Sequence, residues 1–510
     1  MAYLARVNGF SYASGAQGIQ IVGVDISALM NQNITVLKPS KKPYAFNPNI
    51  PMASFFYQLC RFSRAPVVFV FVFDGPDRPD IKRQNPINTG CVPWWTEPCK
   101  EVIEAFGFYA HQAPGEAEAE LAAMNAEGVI NAVLGPDSDV FAFGAKTVMR
   151  RVAESVDEYE VYSAQKMNEM LGIRRSGFIL IALLAGGDYS SGIDKIGAGN
   201  GACLARAGLG DALEKIVHQF SSQDFNYSLK HWSQELKREL STNSRGFLGG
   251  KMKAMARLIP SDFPDPKIVN LYFNPITSWS TAVTGSSGQV PSSMSWVARE
   301  PDLKKLAVAC SNIQRAWRTR DILAKKLYGT LWEGVVLRML TVPGVHYDKA
   351  RRHLISPTHD LTLDELKFNS KRKNQPGDWA RIKIFTSPLI DALDVPAGEE
   401  DVKEKYLSIR VWTPREYLPP GMEAFKSKTT RSIVKKPKPS EVQSPSPDLN
   451  IFAFLERGET PPFGSPPMTA KSGAKPISKQ PHNASLCSVN EGDGPMHYEG
   501  PCNWKKRRLG

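Results

Sequence analysis

The chain has 510 residues, with 63 Lys and Arg against 51 Asp and Glu, a net charge of +12, and 42 % hydrophobic residues. This length suits two or three domains, and the apolar content supports a sizeable core, which excludes wholesale disorder. The longest apolar stretches, 67–73 and 178–185, fall well short of the roughly 18 residues of a membrane span. The start shows no charged-then-apolar secretory pattern, so a membrane protein is excluded. Seven Cys without a CxxC pair argue for a reducing compartment and against a disulfide scaffold or zinc ribbon. Eight His form neither HExxH nor a close His/Cys cluster, which argues against a histidine-built metal site. Charge does not decide the function. Residues 421–510 hold 14 basic and 8 acidic side chains, so +6 of the total sits in that tail.

In chain order, a short strand over 19–24 ends at Asp25, and residues 53–63 have helical spacing. Val67 to Phe73 is a continuous β-branched and aromatic run, as expected of a strand covered on both faces, and it ends at Asp74-Gly75. Helical spacing returns over 97–106. A third strand over 129–134 is stopped by Gly135-Pro136. Ser163 is placed to cap a helix beginning at Ala164, and 178–184 reads as a buried helix. This alternation predicts an α/β fold with a mostly parallel sheet flanked by helices. A Gly-rich segment, 192–201, leads into a helical run from Ala202 to Ala207. The first body therefore spans 18–150 and continues over 151–240. Residues 241–295 lack a clear period and read as a linker or insertion. A second globular block, 296–425, has helical material over 302–340 and strand-like pieces over 380–385 and 407–412. From 426 to 510, 12 Pro and many Ser predict a disordered basic tail. It ends in Lys505-Lys506-Arg507-Arg508, a candidate nuclear import signal.

The acids carry the chemistry. Asp25 and Asp74 end two successive strands, and Asp137 and Asp139 follow the third. In open parallel sheets, ligands bind outside the carboxyl ends of the strands. In extended chain Asp137 and Asp139 would point to the same side. Glu116 and Glu118 follow Pro114-Gly115 in the first turn of an Ala-rich helix, where the helix dipole favours acids. Asp188 follows the Gly186-Gly187 break. An isolated acid at a strand end is commonly a cap or a solvated group, and Asp77, Asp80, Glu97 and Glu120 are read that way. Seven carboxylates remain as candidates for one rim. At 4 Å two like charges cost roughly 4 kcal/mol at an effective dielectric of 20, so such a rim calls for cations. An all-oxygen donor set favours Mg²⁺ or Mn²⁺ over Zn²⁺. Two such ions suit hydrolysis of a phosphate ester.

These residues also carry a family likeness. Val24-Asp25-Ile26-Ser27, Phe71-Val72-Phe73-Asp74-Gly75-Pro76 and Ala113 to Glu120 resemble the structure-specific 5′ nucleases of the XPG and flap-endonuclease type. Asp137-Ser138-Asp139 and Leu183 to Tyr189 continue the resemblance, which is greatest to the fungal Holliday-junction resolvase (GEN-like) branch. The resemblance implies a PIN-like core over 18–150, with a short gateway at about 75–112. It also implies a continuation over 151–240 that contains a helix-two-turn-helix at about 188–208. By the same likeness, Asp25, Asp74, Glu116, Glu118, Asp137, Asp139 and Asp188 would hold two Mg²⁺ ions, with Mn²⁺ able to substitute. Lys82 and Arg83 would be gateway residues clamping the scissile phosphate. Gly192, Lys195, Gly197 and Gly199 would meet the duplex backbone, together with a monovalent cation. Here Asp194-Lys195 stands where the family has Pro-Gly.

Two departures accompany the likeness. Family members begin Met-Gly and soon reach Gly-Leu-Trp, whereas this chain begins Met1-Ala2-Tyr3-Leu4 without that motif before Asp25. Either the start is misplaced, or phosphate contacts are missing although every carboxylate remains. Only 42 residues separate Asp74 from Glu116, too few for a helical arch. A short gateway would admit a junction or bubble, or else is a decayed arch. The resemblance implies a nuclear, metal-dependent endonuclease acting on flaps or four-way junctions, with dimerisation on a junction. Two alternatives stay open: a non-catalytic branched-DNA binder on a worn nuclease fold, and a PIN-like single-strand ribonuclease. The role of 296–425 is open.

Overall fold

The computed structural model describes residues 18–36, 48–82, 85–86, 92–152, 158–219, 222–280, 296–368 and 378–425. The segment before residue 18, Arg83 and the tail from 426, with its terminal basic cluster, lie outside the described residues.

The first sheet has six strands: β1 (Gln20–Asp25), β2 (Val67–Phe73), β5 (Tyr109–Gln112), β6 (Ala132–Leu134), β7 (Thr147–Arg151) and β8 (Tyr159–Ser163). A separate two-residue hairpin, β3 (Ile81–Lys82) with β4 (Asn85–Pro86), lies between β2 and β5 in sequence. The spatial order is β5-β2-β1-β6-β7-β8. All pairings are parallel except that of β7 with β8. The chain grows from β1 through β2 to β5, then returns to the other flank of β1 as β6. That reversal makes the carboxyl end of β1 the topological switch point, where an open α/β sheet has its crevice.

β2 is buried at every residue, as its uninterrupted apolar run predicts for a strand covered by helices on both faces. Phe69 and Phe71 pack against Phe62 of helix Asn49–Phe62 and against Phe108. The third strand is shorter than its sequence suggests. Val129 and Ile130 turn their amides back onto the Met124 carbonyl, closing helix Ala117–Ala126, so pairing begins only at Ala132. Ser163 caps helix Ala164–Leu171 through the Lys166 amide, and Gly172 ends it in the left-handed region.

Two other expectations differ from the structure. The helix after the Gly-rich segment starts at Ala198 rather than Ala202 and ends at Arg206. Gly201 explains this, since a Cβ there would press on the Ile181 backbone of helix Arg175–Ala185. Close helix–helix packing outweighs the poor helix propensity of glycine. Nor are residues 241–280 a bare linker. Helices Lys253–Leu258 and Pro266–Phe273 form there, and Val269, Tyr272 and Phe273 are buried. Short helices separated by Pro and Gly leave too little periodicity to be read from sequence.

Residues 296–425 contribute helices Leu303–Ile313, Arg320–Tyr328 and Trp332–Met339 and an antiparallel sheet of order β13-β12-β11-β10-β9. Its strands are β9 (His346–Asp348), β10 (His353–Ile355), β11 (Asp360–Lys367), β12 (Trp379–Phe385) and β13 (Ser408–Pro414). Arg338, 1 % exposed, ties this part to the first sheet. Its guanidinium donates to the carbonyls of Arg299, Val67 and Gly107 and lies over the Phe108 ring. No helix among the described residues is long and apolar enough to cross a membrane.

Candidate metal centre

The site is built from the carboxyl ends of β1, β2 and β6. Asp25 closes β1 and caps the helix that follows, its carboxylate accepting from the Ser27 and Ala28 amides at 2.7 and 3.2 Å. The ordinary capping role of a strand-end Asp is therefore present here together with membership of the rim. Asp74 follows β2. Its two oxygens accept from Ser27 Oγ at 2.8 Å and from the Ala117 amide at 3.0 Å, and Arg78 lies 3.6 Å away.

The Glu116 turn is buttoned onto the end of β2. The Gly75 amide donates to the Gly115 carbonyl at 2.6 Å and the Asp77 amide to Pro114 at 3.0 Å. Gly75 is required for this approach, because a Cβ there would fall on the carbonyl oxygens of Ala113 and Pro114. Glu116 is the extended N-cap of helix Ala117–Ala126 rather than a residue of its first turn. That break in periodicity lets Glu116 and Glu118, two apart, meet the same Lys82 ammonium.

Asp137 and Asp139 also converge by a different geometry than predicted. Asp139 opens a 3₁₀ turn, and its amide donates to Asp137 Oδ1 at 3.1 Å, so the pair sits on a turn and not on extended chain. Asp188 is 3 % exposed behind the Gly186-Gly187 break, where Gly186 has φ +99°. One oxygen each of Glu118, Asp137 and Asp188 lie within 4.8 Å of one another, spacing at which one cation can be held. Lys82, from β3, places its ammonium 2.7 Å from Asp188, 3.0 Å from Glu116 and 3.2 Å from Glu118.

The electrostatics follow from crowding. Burial first and Asp74 second push Asp25 up to about 7. Burial, then Asp137 and Asp188, push Asp139 up to about 6. Glu118 is raised well above the carboxylate range, by burial foremost, with Asp25, Asp188 and Asp137 adding repulsion that Lys82 only partly offsets. Burial opposes the Lys82 charge, but Glu118, Glu116 and Asp188 together hold it above the ordinary lysine range. A single ammonium thus stands among more negative charge than it can neutralise.

A pH dependence with a definite sign follows. A folded-state carboxyl raised to about 6 or 7 holds a proton that the unfolded chain has released. Stability of the metal-free protein is therefore expected to fall as pH rises from about 4 through 7. Millimolar Mg²⁺ should raise the melting temperature at pH 8 by more than at pH 5. Thermal melts in chelator and in Mg²⁺ check both, and a flat or rising metal-free profile would contradict the crowding.

Gly192, Lys195, Gly197 and Gly199 belong to the turn and helix start after Asp188. The turn is fixed by the Ile193 amide on the Leu184 carbonyl and the Ile196 amide on Ile193. Lys195 has φ +65° and is exposed, as are Gly197 and Gly199, at both of which a Cβ would meet open space. Glu120 is not a solvated or capping group. It is fully buried, accepting from Ser278 Oγ and the Ser278 amide and paired with His111 Nε2 at 2.8 Å. It fastens helix Ala117–Ala126 to the segment after residue 273. Sequence reasoning also passed over Tyr189 as a partner. The Tyr189 hydroxyl donates to Glu116 Oε2. A groove of about 920 Å³ near β12 and β13, lined by Glu333, Lys383, Lys405 and Arg410 among others, mixes both charges and gathers no set of acids.

The mixed α/β sheet thus carries an acidic rim at its switch point. Residues 107–188 match the family model for the XPG I-region. Over those residues the chain is similar to the XPG I-region family. It is 30 % identical over 212 residues to Flap endonuclease GEN-like 1 of Arabidopsis thaliana, covering 37 % of this chain and 34 % of that protein. It is 29 % identical over 184 residues to DNA repair protein rad13 of Schizosaccharomyces pombe, covering 35 % and 15 %. The chain thus spans about a third or less of these relatives' length. Among solved structures, it resembles the eukaryotic junction-resolving enzyme GEN-1 binding with sodium, at TM-score 0.58 and 24 % identity, over 78 % of this chain and 88 % of that one. The Holliday junction-resolving enzyme GEN1 in complex with product DNA and Mg²⁺ gives TM-score 0.57 and 24 % identity over the same shares.

Proposed function

We propose that this chain is a nuclear, divalent-metal-dependent endonuclease that cuts branched DNA, flaps or four-way junctions, as a member of the GEN-like branch. The observation that carries the reading is the gathering of carboxylates from separate segments at one rim, with three oxygens spaced for a cation. The donor set fits the group: all oxygen, no His or Cys, and crowded enough that Asp25 and Asp139 are pushed up to about 7 and about 6. Asp25, Asp74, Glu116, Glu118, Asp137, Asp139 and Asp188 would hold two Mg²⁺ or Mn²⁺ ions. Ions bound there supply activation of water and charge stabilisation on the attacking and leaving oxygens of a phosphodiester.

The chain's own residues do the rest. Asp74 is held in place by Ser27 and the Ala117 amide, and Glu116 by Tyr189. Lys82, with Arg83, brings positive charge to the nonbridging oxygens of the scissile phosphate. Lys195, Gly197 and Gly199 offer an exposed turn and helix N-terminus to the duplex backbone, with the half-buried Gly192 at the start of the turn and a monovalent cation bridging. These contacts position DNA without reading sequence. Cleavage leaves a 5′-phosphate, and paired nicks across a junction call for two copies of the chain. A GEN1 structure holding product DNA and Mg²⁺, and relatives named for DNA repair, support the reading.

Purified protein with end-labelled flap, fork, four-way junction and single-stranded RNA in Mg²⁺ tests it. Metal-dependent cutting of a branched DNA is the expected result. Binding without cutting, or cutting of RNA alone, would overturn it.

A further inference from the structure

Ser27 stands in the first turn of helix Ile26–Val36, directly past the carboxyl end of β1. It closes the Val24-Asp25-Ile26-Ser27 stretch, of which only Asp25 has so far been given a part in the chemistry. Its amide donates to Asp25 Oδ1 at 2.7 Å, and its hydroxyl donates to Asp74 Oδ2 at 2.8 Å. One uncharged residue thus bonds two acids that come from neighbouring strands.

The sheet fixes Asp25 but not Asp74. Asp25 is the last paired residue of β1, opposite Val72. β2 ends at Phe73, so Asp74 lies beyond the ladder and its carboxylate is placed by what it bonds. Oδ1 accepts from the Ala117 amide at 3.0 Å, and Oδ2 accepts from Ser27. Ala117 follows Glu116 directly, and Ser27 lies two residues past Asp25. Asp74 is therefore the junction between two acid-bearing segments, and the Ser27 hydroxyl makes one of its two arms. Arg78, 3.6 Å from Oδ2, lies four residues further along the same segment as Asp74, so it cannot set that segment against β1.

We propose that Ser27 is a positioning residue for the metal centre, its amide holding Asp25 and its hydroxyl setting Asp74 against it. This rests on the nuclease reading above. Like charges brought to one rim push apart, and a short side chain tied to both acids opposes that movement. A hydroxyl suits the task because it orients a carboxylate without neutralising it, which leaves the charge for a cation. Outer-shell hydrogen bonds of this kind fix the geometry of metal-ligating carboxylates.

Calorimetric titration of the full-length, DNA-free protein with Mn²⁺ tests the assignment. Ser27→Ala removes the hydroxyl and keeps the amide, so the bond to Asp25 at the helix start is retained. It should bind Mn²⁺ about tenfold more weakly than wild type. At a fixed Mn²⁺ concentration kcat on a flap substrate should fall with KM for the DNA unchanged, because the hydroxyl is committed to Asp74. Ser27→Thr keeps a hydroxyl and should restore Mn²⁺ affinity. Wild-type Mn²⁺ affinity in Ser27→Ala, even with a lower melting temperature, would make the serine purely structural and overturn the assignment alone. Equal loss of affinity in both variants would also overturn it, since the hydroxyl would then not be what matters. A wild-type chain that takes up no Mn²⁺ would overturn the nuclease reading and this inference with it.

Discussion

Asp139→Asn is expected to lower cleavage of a branched DNA by at least about 10²–10³-fold while leaving DNA binding within about twofold. The substitution keeps the shape of the side chain and the turn, since it is the Asp139 amide that donates to Asp137. It removes a charge that burial, Asp137 and Asp188 all disfavour. The same change should stabilise the metal-free protein at pH 8, because it deletes a carboxyl pushed up to about 6 by burial, Asp137 and Asp188. Loss of activity with gain of metal-free stability separates a ligand from a structural acid. A variant that cuts at the wild-type rate in saturating Mg²⁺ would remove Asp139 from the site.

Gly75→Ala should have an effect of similar size on cleavage by another route. The added methyl would fall on the backbone oxygens of Ala113 and Pro114, which cannot swing aside as a side chain can. The turn must part from the end of β2, breaking the Gly75–Gly115 hydrogen bond. Asp74 then loses its hold on the Ala117 amide, and Glu116 its place beside Lys82. A cost of about 3 kcal/mol is expected from such overpacking, read as a lower melting temperature. Gly199→Ala is the control. Its Cβ meets open space inside a helix, so stability should rise slightly. Equal melting temperatures for the Gly75 variant and wild type would contradict the account of the turn.

The parts of this fold legible in the sequence are those fixed by local pattern. The apolar run of β2 admits only a strand buried on both faces, and its bounds match the structure to the residue. Asp25, Asp74 and Asp137 are legible as a rim because parallel strands end on one side. What was illegible depends on contacts across the chain. Glu120 looks like any acid early in a helix until Ser278, 158 residues away, closes over it. Asp137 and Asp139 meet through a 3₁₀ turn that two-residue alternation does not describe. The resemblance makes Lys82 a clamp for phosphate, and the structure places it among Glu116, Glu118 and Asp188.

Anomalous diffraction from a crystal soaked in Mn²⁺ is the most direct measurement of whether these acids share a cation. Density is expected about 2.2 Å from oxygens of Glu118, Asp137 and Asp188, with the Lys82 ammonium displaced from among them. A soaked crystal with no anomalous peak at the rim, and Lys82 still paired to all three of its acids, would contradict the metal centre.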